Sequence, residues 1–217
     1  LHRVPHGVVI DEKVPFDPFH AISAYDQSKA EASLLVQDAA HLGLDVVLVC
    51  PTGVIGPYDY RGSEMSYVIL NAMRGGVQFL MGGAYDFVDV RDVAEGLILA
   101  CEKGRRGETY LLSGEQIQVR DLFRRVQALA GRRYLRLPMP LGLVRLLALF
   151  APAYYRLTKT KPCLTPYAMA TLLSNSVISN ARARSELGYA PRSLSETLPD
   201  TVHWLLQEES RLSSPCD

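Results

Sequence analysis

The spacing of apolar residues changes period several times along the first two thirds of the chain. Residues 1–23 are rich in Pro, His and Asp, show little periodicity and read as surface loop. From Ala24 to Leu42 good helix formers dominate and Gly43 follows as a stop, which predicts a helix. Leu44–Cys50, with the sequence LDVVLVC, is a β-branched run ending at Pro51. Such a continuous apolar run predicts a strand covered on both faces, as in a parallel sheet. Helix, glycine turn and buried strand make the αβ half of a doubly wound unit.

Pro51–Pro57, PTGVIGP, reads as a loop from its glycines and prolines. Glu64–Arg74 is predicted helical and ended by Gly75-Gly76, and Phe87–Val90 is a short extended piece. Arg91–Lys103 is an amphipathic helix closed by Gly104, and Glu108–Ser113 a strand ended by Gly114. Val119, Leu122, Phe123, Val126 and Leu129 stand at helical spacing within Gln118–Ala130. Beyond Gly131 the chain is predicted mostly helical and broken by prolines, with a last helix near Leu198–Glu208. No internal repeat is visible. Strands with crossover helices thus come early, and a smaller, more irregular part comes late.

Composition narrows the function classes. The 217 residues are 48% hydrophobic and 21% charged, with a formal net charge of +0, so nothing global points to nucleic acid or an acidic membrane surface. Cys50, Cys101, Cys163 and Cys216 are scattered without a CxxC pair or a histidine at ligand spacing. They read as free thiols in a reducing, cytoplasmic compartment, and no metal site is expected. The first residue is Leu rather than Met, as in a fragment of a longer protein or a trimmed chain. The apolar stretch from Leu141 to Tyr155 carries Arg145 and Pro152 and falls short of the roughly 20 residues of a spanning helix. No transmembrane segment is expected; a core helix is the plainer reading, a helix lying in a membrane interface the other. The apolar side chains of residues 139–157, Met139, Leu143, Leu147, Phe150 and Tyr154 among them, would also suit a hydrophobic ligand, although a core helix explains them more plainly. The basic run from Lys103 to Arg136 has acidic residues interleaved and reads as a solvated face before it reads as a phosphate-binding surface.

Tyr25-Asp-Gln-Ser-Lys29 opens the first predicted helix. Residues four apart lie one above the other on a helix, so phenol and ammonium can serve one site. A tyrosine with a pKa of about 10 is a poor acid or base near neutrality, and a nearby ammonium favours the phenolate. Taken alone, the five residues are more often a surface pair. After one helix, turn and strand comes Pro51-Thr-Gly-Val-Ile-Gly-Pro57, which alone would read as a plain turn. Asp11-Glu12 with Pro15 and Pro18 precede the tyrosine, and Phe87-Val-Asp-Val-Arg-Asp-Val-Ala94 follows.

These four matches, in this order and spanning Asp11 to Gly114, resemble the extended short-chain dehydrogenase/reductases, the NAD-dependent epimerase/dehydratase superfamily. Within it, Ala24–Ala32 and Val49–Asp59 look most like the dihydroflavonol-reductase-like group. The resemblance implies an α/β fold, the C-terminal part of a doubly wound Rossmann sheet with a smaller, mainly helical substrate-binding part. Residues 1–56 with 84–114 would form the dinucleotide-binding portion, and residues 57–83 with 115–217 the substrate portion. It implies Tyr25 as general acid/base, Lys29 as ribose anchor and activator of the phenol, and Pro51, Thr52, Gly53 and Val54 as the loop facing the nicotinamide of NAD or NADP. Asp89, Arg91 and Asp92 read as structural, with Asp92 capping the next helix and Arg91 pairing locally.

The family's GxxGxxG phosphate loop has no counterpart in these residues, and the Ser/Thr expected upstream of the tyrosine would precede Leu1. The resemblance also implies a homodimer through the tyrosine helix and a small-molecule substrate. Three readings of function stay open: a reductase acting on a ketone or aldehyde, a nucleotide-sugar epimerase or dehydratase with tightly bound NAD, and a non-catalytic module of the same fold.

Overall fold

A computed structural model of the chain describes residues 4–74, 76–80, 83–131, 134–138 and 170–213. Helix α1 (Ala24–His41) starts where Ser23, in extended conformation, accepts the amide of Asp26 on its side chain. It ends at Leu42, whose amide returns to Asp38, and Gly43 at φ 108° turns the chain. The chain then runs through β1 (Leu48–Pro51), β2 (Gly53–Ile55), α2 (Glu64–Met73), β3 (Gly76–Leu80) and β4 (Ala84–Asp89). It continues with α3 (Val90–Lys103), β5 (Thr109–Leu112), β6 (Glu115–Gln118), α4 (Val119–Leu129), β7 (Tyr134–Pro138), a π turn at Ala183–Leu187 and α5 (Leu194–Ser213).

Strands β1 and β5 pair in parallel with Leu48 opposite Thr109. Strand β2 lies parallel to β4 with Gly53 opposite Phe87, and β6 closes the other side of β4 antiparallel. Strands β3 and β7 form a third, parallel pair. Parallel neighbours need crossover connections; α2 lies on the one from β2 to β4, and α3 on the one from β1 to β5. The architecture is α/β and Rossmann-like.

Strand β4 stands between two cores because successive side chains point to opposite faces. Phe87 joins Ile55, Ile69, Met73, Leu122, Val126 and Leu198 under α2, α4 and α5. Val88 joins Tyr110, Leu112, Ala100 and Leu187 under α3 and the π turn.

Several expectations need correction. PTGVIGP is more than a loop, since β2 occupies its centre, and the region beyond Gly131 begins with a strand, β7. The strand expected at Leu44–Cys50 is confined to Leu48–Pro51, with Leu48 buried, Val49 and Cys50 half-buried and Pro51 exposed. The opening segment is anchored at buried Ile10, which bridges to Ile178 and exchanges backbone bonds of 2.8 Å with Val177 and Ser179. Asp92 caps nothing; the N-cap of α3 is Asp89, because the helix starts at Val90 and Asp89 is the last extended residue. In the basic run Arg105, Arg120, Arg124 and Arg125 are exposed and ion-paired with carboxylates, as a solvated face requires. The apolar stretch at 141–155 lies outside the described residues, and no described helix is long and apolar enough to cross a membrane.

Candidate functional site

Tyr25 and Lys29 occupy the first turns of α1, directly after the Ser23 cap. The cap fixes where the helix begins and therefore where the phenol emerges. Both side chains are exposed, and the Lys29 ammonium stands 5.6 Å from the centre of the Tyr25 ring. The sequence spacing and the geometry agree on this pair.

Pro51 ends β1, and Thr52 bridges it to β2 while donating its amide to the Leu112 carbonyl at 3.2 Å. Gly53 and Val54 belong to β2, beside Phe87 and Val88. A Cβ on Gly53 would stand 2.6 Å from a Tyr85 ring carbon and 2.9 Å from a Phe87 ring carbon, so glycine lets these rings close over the backbone. The two rings pack tilted, 5.4 Å between centres.

Tyr85 is half-buried beside Gly53. Burial pushes its phenol pKa up, and the charges of Asp86, Asp26 and Tyr25 push the same way. Its neighbour Asp86 is 3% exposed and accepts the Thr52 hydroxyl at 2.6 Å and the Gly114 amide at 2.9 Å on one oxygen, Oδ1. Burial raises the Asp86 carboxyl, against the pull of those two bonds. Sequence reasoning missed both residues. The available signal was an aspartate inside an aromatic and β-branched run, AYDFVD, a residue type depleted from strands unless something holds it.

Asp89, Arg91 and Asp92 form a separate ionic group. Arg91 bonds Asp89 through Nε at 2.9 Å and Nη2 at 2.7 Å, and reaches Asp200 at 2.7 Å. Arg192 adds contacts of 3.3 Å to Asp89 and 3.2 Å to Asp92. The group fastens the start of α3 to the start of α5 and shares no residue with the Tyr25 pair. An open groove lined by Tyr58, Tyr60, His203 and Trp204 also lies apart from the predicted site residues. No group of three His, Cys, Asp or Glu able to hold a metal occurs among the described residues.

Parallel strands with crossover helices, and a tyrosine–lysine pair on the helix leading into β1, define a Rossmann-type α/β protein. Residues 3–113 match the model of the NAD dependent epimerase/dehydratase family, and the chain belongs to it. Sterol demethylase protein B of Methylococcus capsulatus is 33% identical over 86% of the chain and 58% of its own length. A candidate dihydroflavonol 4-reductase of Synechocystis is 28% identical over 84% of the chain and 54% of its length. The chain thus spans somewhat over half of these relatives. The crystal structure of gox2253 superposes with a TM-score of 0.73 at 30% identity, covering 93% of this chain and 62% of the other.

Proposed function

We propose that the protein containing this chain is an NAD(P)-dependent reductase or dehydrogenase of the carbonyl/alcohol type, with Tyr25 as the proton donor. The observation that carries the reading is the Tyr25–Lys29 pair, phenol and ammonium one turn apart and exposed, on the helix that leads to the 51–54 segment. These residues suit a nicotinamide dinucleotide: Lys29 offers N–H donors for ribose hydroxyls, and backbone groups of Pro51, Thr52, Gly53 and Val54 suit the carboxamide. The bound nicotinamide supplies or accepts the hydride. Tyr25 Oη gives its proton to a nascent alkoxide, or takes one from an alcohol, with the Lys29 ammonium 5.6 Å from its ring.

Residues 1–56 with 84–114 serve the dinucleotide in this reading, and residues 57–83 with 115–217 serve the substrate. In support, the core of α2, α4 and α5 draws all its buried residues but Ile55 and Phe87 from the substrate part, whereas the core of α3 and β5 spans the division through Ala183, Leu187 and Tyr189. The relatives named for a sterol and for a dihydroflavonol favour an apolar, ring-bearing alcohol or ketone over a nucleotide sugar. Exchangeable rather than tightly retained cofactor is therefore expected. NAD and NADP both fit these residues, and free Cys50 and Cys101 suit a cytoplasmic setting. The complete protein assembles as a homodimer through α1, where Leu35 is 69% exposed; a monomer in sedimentation at tens of micromolar would remove that part of the proposal.

Tyr25→Phe in the complete protein tests the mechanism. Removing only the hydroxyl should lower turnover by more than about tenfold while cofactor affinity stays near wild type. A smaller loss means that another group, or water, handles the proton.

A further inference from the structure

Strands β1 and β5 run side by side and break at the same level, β1 at Thr52 and β5 at Ser113-Gly114. Beyond the break their continuations, β2 and β6, flank β4 instead. Two polar groups are stranded at this handover, the Thr52 hydroxyl and the Gly114 amide. Both end on Asp86 Oδ1. A buried amide without an acceptor is destabilising, and an apolar residue at 86 would leave the Gly114 amide in that state. A Cβ on Gly114 would stand 2.1 Å from the Phe87 carbonyl oxygen, so the backbone there is pressed against β4.

The pleat of β4 adds a second hold. Tyr85 and Phe87, one face of the strand, close over Gly53, while Asp86 on the other face grips Thr52. Consecutive residues of the 51–54 segment are thus fixed from opposite faces of one strand. Resting on the cofactor reading above, we propose that Asp86 is a positioning residue that holds the 51–54 backbone where it meets the nicotinamide of the dinucleotide. It touches neither cofactor nor substrate. Its effect is confined to the nicotinamide end, since its two bonds end on Thr52 and on Gly114.

Calorimetric titration of the complete protein tests this with two ligands: whichever of NAD or NADP the wild type binds, and the matching ADP-ribose, which lacks nicotinamide. Asp86→Ala should weaken the dinucleotide about tenfold and leave the ADP-ribose within about twofold. Asp86→Asn keeps an oxygen acceptor in place and should stay within about threefold of wild type for both ligands. Thr52→Val removes the donor instead, and should weaken the dinucleotide in the same selective way. The double variant should then be little worse than Asp86→Ala alone, as two ends of one interaction require. Equal losses for both ligands would mean general loosening of the fold and would overturn the proposal. Unchanged dinucleotide affinity in Asp86→Ala would overturn it too. If Asp86→Ala fails to fold, Thr52→Val decides by the same outcomes. A wild type that binds neither ligand overturns the cofactor reading itself, a result visible before any variant is made.

Discussion

Asp89 closes β4 and caps α3 with the same carboxylate. Burial alone would raise its pKa, but hydrogen bonds from the Arg91 side chain and amide and from Thr197 outweigh burial and hold it below the ordinary aspartate value. A group with a lowered folded pKa stabilises the fold above its unfolded pKa and loses that contribution as pH falls through the folded value. Asp89→Asn keeps a capping oxygen but leaves Arg91 and Arg192 facing a neutral group. With the Asp89 side chain at 0% exposure, the loss should be about 3 kcal/mol at neutral pH. Denaturant titrations at stepped pH should show the gap between wild type and variant shrinking below the reference value of 3.8; a gap constant through the acid range would sink the assignment. The Tyr25–Lys29 pair was legible in the sequence because both partners lie on one helix, four residues apart. Asp92 was not, because its partner Arg192 stands a hundred residues further on and no local pattern announces it.

Helices were legible at the scale of elements for the same reason. The 3.6-residue period of Val119, Leu122 and Val126 is a local signal, and those residues are buried in α4 as that period demands. The missed strands draw their stability from elsewhere. Strand β2 has three residues and begins with Gly53, and it exists because β4, more than thirty residues later, pairs with it and lays two rings over that glycine. Strand β6, EQIQ, offers a single buried residue, Ile117, and its order comes from pairing with β4. The candidate site follows suit. Its helix half was readable from spacing, whereas Tyr85 and Asp86 acquire their roles only where β4 threads between β2 and β6.

The described parts of the molecule leave a large apolar surface without cover. Phe19 and Leu42 are 91% exposed, and Leu35, Leu44, Leu97 and Ile98 are all above half exposed. The buried share of α1 is a single residue, Ala40, although the helix runs for 18 residues. Strand β1 pairs with β5 on one side, and no second neighbour occurs among the described residues. Exposed apolar patches and open strand edges of this kind are recognition surfaces, and in isolation they drive association between chains. These residues also contain no GxxGxxG loop, and dinucleotide affinity in this fold draws heavily on the helix N-terminus behind that loop. In the proposed reading Tyr25, Lys29 and the 51–54 segment serve only the ribose and nicotinamide end. Residues 1–217 expressed alone should therefore bind NAD and NADP no more tightly than about millimolar, show no turnover and tend to aggregate. Titration calorimetry with both dinucleotides, run beside light scattering, measures all but the turnover directly. Micromolar binding by a stable monomer would show that α1 and β1 need no further cover and that the pyrophosphate is held by some part of this segment.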